Sequence, residues 1–313
     1  PGCIFISKSI MKITVLGLLI LILFTPGTIS SLDFVPQVPH SYQVKSLSIS
    51  DDAKFLLSAG GSDKVLKLWD TRSMSLMRTL RGHEEDVEKA VILPGNRRGI
   101  SADERGRLFL WDLGRGEILK SSETVTGQSP AFLLLSKDGD SMYINADEGT
   151  VQKINTNTLT TEGEFPVHKK TGRWKAKANA AVLLRNKEIL LTGGLDGTVM
   201  VINLRTGEID ELHRAAKDFT VDSLALTPAG TTLAVITSNV LSVGIFKGES
   251  RLTLLEHTDT ASLLGWNVKM EKTLPTLTGG QGAVFTKTGD SLLIDGSPII
   301  ILDSNTGEVK KRF

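Results

Sequence analysis

From Val44 onward the chain keeps returning to one short pattern: a β-type run, a turn, another run, four times over, and then the pattern begins again. Val44-Lys-Ser-Leu-Ser-Ile-Ser50 is followed by Asp51-Asp52 and then by Phe55-Leu-Leu-Ser-Ala59. Gly60-Gly61-Ser62-Asp63 turns the chain into Val65-Leu-Lys-Leu-Trp-Asp70, and Ser75-Leu-Met-Arg-Thr-Leu80 makes a fourth run. Gly82-His83 opens the next unit, whose third run ends at Leu108-Phe-Leu-Trp-Asp112. No amphipathic stretch of helical length interrupts this alternation, so the chain reads as all-β. The 30 glycines are more than an average chain of this length carries, as many turns require.

Trp69-Asp70, Gly82-His83 and Trp111-Asp112 carry a resemblance to the WD-repeat family of β-propellers. Two Trp-Asp pairs 42 residues apart with a Gly-His between them match that repeat in length and grammar. Later repeats lose the tryptophan but keep the turn after the third run, as in Leu113-Gly-Arg-Gly-Glu117, Leu204-Arg-Thr-Gly-Glu208 and Ser304-Asn-Thr-Gly-Glu308. Trp69, Trp111, Ile154, Ile202, Ile245 and Leu302 then mark six four-stranded antiparallel blades. The turns Ser136-Lys-Asp-Gly-Asp140, Thr227-Pro-Ala-Gly-Thr231 and Thr286-Lys-Thr-Gly-Asp290 read as hairpins between first and second strands. Two ring architectures remain open. Leu32–Gln37 occupies the slot of a fourth strand, which implies a seven-bladed ring whose last blade continues beyond Phe313; the rival is a closed six-bladed ring.

The resemblance implies a buried network in each well-formed blade. A histidine before the first strand, a hydroxyl on the second, an aspartate in the second turn and a tryptophan on the third are hydrogen-bonded together. The candidates for these structural roles are His40, Asp63, Trp69, Asp70, Gly82, His83, Ser101, Trp111, Asp112, Thr192 and Asp196. Counted along the sequence, no blade has the full set. Blade one has Ala59 at the hydroxyl position, with Ser58 one residue off. Blade two has Arg105 at the aspartate position, and blade four has Ile202 for tryptophan.

Catalytic and cofactor motifs are missing from the sequence. There is no P-loop, dinucleotide-binding glycine pattern or His-Glu-x-x-His. The single cysteine, Cys3, leaves no disulfide framework or cysteine zinc site, and His40, His83, His168, His213 and His257 do not pair at metal-ligand spacing. Four of them, from His83 onward, are expected near the ends of fourth strands. With Lys+Arg 36 against Asp+Glu 35, nothing favours nucleic acid as a partner. No cofactor is expected.

The expected function is a non-enzymatic scaffold that binds a protein partner; a propeller enzyme or small-ligand protein with a site in the central channel is the alternative. Spacings of 48 and 57 between marker residues point to insertions before blades four and six, in connections between blades. The first reads His168-Lys-Lys-Thr-Gly-Arg-Trp-Lys-Ala-Lys177, five positive charges and no acid, and would attract an anionic surface. Lys169, Lys170, Arg173, Trp174, Lys175 and Lys177 are its candidate contact residues. Trp266, in the second insertion, is another, although Ala261–Val268 also reads as a core strand.

The first 30 residues have a different character. Lys8 and Lys12 precede a 12-residue uncharged run, Ile13 to Phe24, too short for an ordinary span and followed by Thr25-Pro-Gly-Thr-Ile-Ser30. This reads as a signal peptide starting at Met11, with export of residues 31–313 and no stable membrane span after its removal. An uncleaved membrane anchor is the alternative.

Overall fold

A computed structural model of the protein describes residues 40–124, 126–170, 176–184, 187–239, 249–258, 264–274, 282–295 and 298–313. The segment 1–30, Leu32–Gln37, Arg173, Trp174, Lys175 and Ile245 lie outside the described residues. The fold is all-β, built from six four-stranded antiparallel propeller blades. The strands of blade one are β1 (Val44–Ile49), β2 (Phe55–Gly60), β3 (Val65–Asp70) and β4 (Ser75–Arg81). Blade two has β5 (Val87–Ile92), β6 (Arg98–Asp103), β7 (Arg107–Asp112) and β8 (Glu117–Thr124). Blade three has β9 (Leu133–Leu135), β10 (Ser141–Asn145), β11 (Thr150–Asn155) and β12 (Thr161–Pro166). Blade four has β13 (Ala178–Leu184), β14 (Ile189–Gly194), β15 (Thr198–Asn203) and β16 (Ile209–Arg214). Blade five has β17 (Phe219–Leu226), β18 (Thr232–Asn239), β19 (Ser250–His257) and β20 (Trp266–Thr273). Blade six has β21 (Ala283–Phe285), β22 (Ser291–Ile294), β23 (Ile300–Asp303) and β24 (Val309–Arg312).

The chain divides into two compact units: one runs to Ser141 and takes in Asn155–Thr161, the other holds Met142–Ile154 and Glu162–Phe313. In the first, Leu57, Leu66 and Leu80 of blade one interleave with Val87, Ala90, Phe109 and Trp111 of blade two. In the second, Leu191, Val199 and Val201 of blade four meet Val221, Leu233 and Val235 of blade five. A further cluster joins Ala234, Leu252 and Leu254 of blade five to Leu292, Ile294, Ile300 and Leu302 of blade six. These alternating apolar positions are the ones a pleated strand turns to a neighbouring sheet.

First strands are sheet edges, and side chains of the preceding blade satisfy their backbone. Ser48 Oγ accepts from Ile92 N–H at 3.0 Å, and Ser223 Oγ from Ala283 N–H at 3.1 Å. Asn179 Nδ2 donates to the Val221 carbonyl at 3.2 Å. Unpaired edge groups would otherwise be buried at a cost.

One turn recurs between the third and fourth strands. Asp70, Asp112, Asn155, Asn203 and Asp303 end their strands, and each side chain accepts a backbone N–H two or three residues on, at 2.7 to 3.2 Å. The residue four positions after each is left-handed: Met74, Gly116, Leu159, Gly207 and Gly307 have φ between 53° and 79°. Glycine reaches that conformation without the strain a Cβ introduces, so the Thr-Gly-Glu and Arg-Gly-Glu signatures mark the turn.

Candidate functional site: the histidine-bearing edge of the blades

Antiparallel strands alternate in direction, so within a blade the second turn and the connection from the previous blade share one end of the strands. His40, His83, His168, Asp63 and Asp196 gather there, whereas Asp70 and Asp112 cap third turns at the opposite end of their strands. In blade two, Trp111 Nε1–H donates to Ser101 Oγ at 2.8 Å, and Ser101 Oγ lies 2.6 Å from His83 Nε2. His83 Nδ1 faces Asp103 Oδ2 at 3.4 Å. An indole only donates and an ionised carboxylate only accepts, so the protons run from Trp111 to Ser101 to His83 to Asp103. Burial resists ionisation of Asp103, yet His83 and Arg107 together hold its carboxyl below the usual carboxylate range. Arg107 also reaches outward: its Nε lies 3.0 Å from Asp103 Oδ2 and its Nη1 3.2 Å from Glu84 Oε2. The aspartate of this blade is therefore Asp103, and Arg105 does not vacate its place.

Blade one needs a second correction. Ser58, not Ala59, supplies its hydroxyl: Trp69 Nε1–H donates to Ser58 Oγ at 2.9 Å, and His40 Nε2 lies 2.8 Å from the same atom. His40 Nδ1 is 2.7 Å from Asp63 Oδ2. Both corrections have one origin. Leu56 and Gly99 occupy matching places opposite Trp69 and Trp111, and Ser58 and Ser101 each stand two residues further on. The second turn is one residue longer in blade one than in blade two, so counting back from tryptophan slips by one. Burial lowers the His40 pKa, with the Asp63 bond opposing it.

Blade four holds a network without tryptophan. His168 Nε2 lies 3.1 Å from Thr192 Oγ1, and Nδ1 lies 3.1 Å from both Asp196 Oδ1 and Thr198 Oγ1. Burial works against the Asp196 carboxylate, but the bonds from His168 and Thr198 win and bring its pKa down to about 2. Ile202 is fully buried in place of the indole. The sequence reading missed His168 in this role because ten residues, not four, separate it from its first strand. A readable signal does exist. Gly60, Asp103 and Gly194 sit at equivalent strand ends. A side chain at Gly60 would overlap Asp63 and His40, and one at Gly194 would overlap Asp196 and His168. A strand-end glycine thus announces a carboxylate in the turn, whereas blade two supplies its carboxylate from the strand end directly.

Two further readings change. His257 ends β19, a third strand, and is not near the end of a fourth strand. Because β19 is the third strand of blade five, Ile245 is not its marker; Leu255 pairs with Leu233 as Trp69 pairs with Leu56. The extra residues around blade five are spread over three connections, β18 to β19, β19 to β20 and β20 to β21, and are not confined to the connection to blade six. Trp266 opens β20 at 9% exposure, its ring tilted against that of His257 at 4.7 Å between centroids, and belongs to the core. It offers no exposed anchor.

The charge on this edge differs between blades. After His83, blade two carries Glu84-Glu85-Asp86, answered by cations. Glu85 pairs with Arg105 at 2.7 Å and with Lys64 at 3.9 Å, and Glu88 pairs with Lys45 at 3.3 Å. After His168, blade four carries Lys169 and Lys170, both exposed and without an ion pair among the described residues, with Lys177 half-buried beyond. Lys169 N–H donates to Asp196 Oδ2 at 3.2 Å, so the basic run starts from the network itself. No group of three or more metal-binding side chains occurs among the described residues. In all three networks both histidine nitrogens face a partner and the residue carrying the hydroxyl is buried, an arrangement that ties the strands of the blade together.

The family model described as WD domain, G-beta repeat matches residues 30–70. WD repeat-containing protein 55 of Rattus norvegicus is 24% identical over 196 residues, which are 62% of this chain and 48% of that protein. The guanine nucleotide-binding protein subunit beta of Solanum tuberosum is 40% identical over 86 residues, 27% of this chain and 22% of that one. The chain thus spans about half the length, or less, of these curated relatives. A chain in the crystal structure of the mitotic checkpoint complex shares the fold, with a TM-score of 0.65 at 17% identity over 83% of this chain and 73% of that chain. The repeat match, the WD-repeat relatives and the blade architecture point the same way: the chain is similar to the WD-repeat family of β-propellers.

Proposed function

We propose that this protein is a non-enzymatic interaction scaffold, exported from the cytoplasm, whose protein partner docks on the histidine-bearing edge of blade four. The observation that carries the reading is the exposed Lys169–Lys170 pair, unneutralised and tethered by the Lys169 N–H to Asp196. A rigid support lowers the ordering cost of a contact, and unpaired cations steer an anionic surface toward it. Arg173, Trp174 and Lys175 extend this run in sequence and complete the proposed contact set, since tryptophan and arginine are favoured interface anchors. Export rests on the basic, apolar and small-residue order of residues 1–30.

The test is affinity capture of a partner by the protein with and without Lys169→Glu, Lys170→Glu and Arg173→Glu together. Captured partner should fall by about tenfold or more, as a 1.4 kcal/mol loss gives, while the melting temperature stays unchanged. Equal capture by both forms refutes the docking edge. Export is tested separately, by fractionating cells that express the chain with and without residues 1–30.

A further inference from the structure

The opposite end of the blades carries a cavity that the docking edge does not use. It lies in the second compact unit, between the first hairpins of blades five and six, and has a volume of about 440 Å³. That is within the size range of small-ligand sites, roughly 300–1,000 Å³. Its lining mixes apolar surface, including Pro228 and Ala229, with polar residues: Thr231, Thr288, Asn305, Lys269 and Lys287.

The corresponding place in the first unit is differently built. There the blade three hairpin, Ser136-Lys-Asp-Gly-Asp140, sets Gly139 against the Pro94 ring, with a Cβ at that glycine only 2.6 Å from Pro94 Cγ and Cδ. In blade six there is more room: a Cβ at Gly289 would stand 3.5 Å from Thr227 Cγ2 and 3.8 Å from Pro228 Cδ. The two hairpins also differ in charge. Asp138 accepts from Ser136 Oγ at 2.6 Å, while its counterpart in blade six is the neutral Thr288.

The cations of the cavity are not all neutralised. Lys310, just outside the lining, is held by Asp303 at 2.9 Å and by the Asp290 carbonyl at 3.1 Å. Lys269 has only a long pair with Glu256, at 3.8 Å, and a 3.3 Å bond to Asn305 Oδ1. Lys287 is exposed and has no ion pair among the described residues. The one lining carboxylate, Asp290, accepts from Thr286 Oγ1 at 2.8 Å. An occupant that matches this surface carries carboxylates for the two lysines and hydroxyls or amides for Thr231, Thr288 and Asn305.

We propose that this cleft is a second binding site, for an acidic, hydroxyl-bearing peptide segment of a partner protein, with Lys287 and Lys269 on its carboxylates. The proposal rests on the scaffold reading but not on the blade four edge, which lies at the other end of the strands.

A fluorescein-labelled peptide of alternating glutamate and serine, titrated into the full chain and followed by anisotropy, tests it, with a lysine–serine peptide as control. The acidic peptide should bind and the basic one should not. Lys269→Glu with Lys287→Glu should weaken binding by about tenfold, the loss of 1.4 kcal/mol. Thr288→Asp, which recreates the charge of the blade three turn, should weaken it in the same direction. Lys169→Glu with Lys170→Glu should leave it unchanged. No binding by the wild-type chain overturns the proposal, as does binding that survives the Lys269 and Lys287 changes. Loss on changing Lys169 and Lys170 alone also overturns it, because the peptide is then held at blade four. An unchanged melting temperature shows that the variants are folded.

Discussion

Blades one, two and four carry histidine networks; blades three, five and six carry no His–Asp pair among their described residues, and yet all six form four-stranded sheets. The difference shows that the network is one way to fill a blade and not a condition for making one. In blade two the position two residues beyond the one opposite tryptophan is Ser101; in blades five and six it is Val235 and Ile294, both buried. A polar set that is fully satisfied and an apolar set that is well packed are close in free energy, whereas a half-satisfied polar set is worse than either. What the blades share more widely is the capped third turn, present in five of them. That turn needs only one side chain and its own backbone, so it survives when the longer-range network is lost.

The comparison can be broken most directly at His83. Replacing it with leucine leaves the Ser101 hydroxyl without its acceptor and takes one partner from the buried Asp103 carboxylate, which keeps Arg107, and should cost roughly 1–3 kcal/mol, as an unsatisfied buried polar group does. Denaturant unfolding reads this, and a loss below about 1 kcal/mol, ordinary for a surface change, would mean that the blade two network is dispensable. Asp196 sharpens the comparison through pH. Its folded pKa, about 2, lies below the ordinary carboxylate value, so its contribution is complete above about pH 4 and disappears as the pH falls toward 2. Asp196→Asn should remove that acid limb from the stability curve, so that the advantage of the wild type over the variant shrinks as the pH falls from about 4 toward 2, while the same change at an exposed aspartate of blade three should leave the limb in place.

The shared turn supplies the next test. Asn203→Ala in blade four and Asp303→Ala in blade six each remove two side-chain bonds to backbone N–H groups, Asp303→Ala also a surface pair with Lys310 that adds little, and each should cost about 1 kcal/mol. Equal losses would confirm that the turn works independently of the histidine network; a much larger loss in blade four would couple the two. The smallest expected effect has the opposite sign. Met74 is held at φ 53° where other blades place glycine, so Met74→Gly should relieve backbone strain and raise stability by up to about 1 kcal/mol in thermal unfolding.

Much of the fold was legible because its signals are local. The runs Phe55–Ala59 and Val65–Asp70 nearly coincide with β2 and β3, and the Thr-Gly-Glu turns fall where left-handed glycines are required. The blade networks were legible only in part. Asp63, Ser101, Thr192 and Asp196 were found at their positions, while Ser58, Asp103 and His168 were missed because each sits one turn length or one loop length away from the expected count. Blade five was misread for the same reason: without tryptophan, nothing in the sequence marks which apolar run is the third strand, and pairing of Leu255 with Leu233 decides it.

The sequence by itself determined the repeat, the all-β class, the hairpin turns and the family resemblance, because these rest on dihedral preferences and alternation within a few residues. Only the tertiary structure decided which hydroxyl and which carboxylate meet each histidine, and that Trp266 is core rather than anchor. The physical reason is that a turn can lengthen by one residue without disturbing either strand it joins, so contacts across it follow the register of the sheet and not the count along the chain.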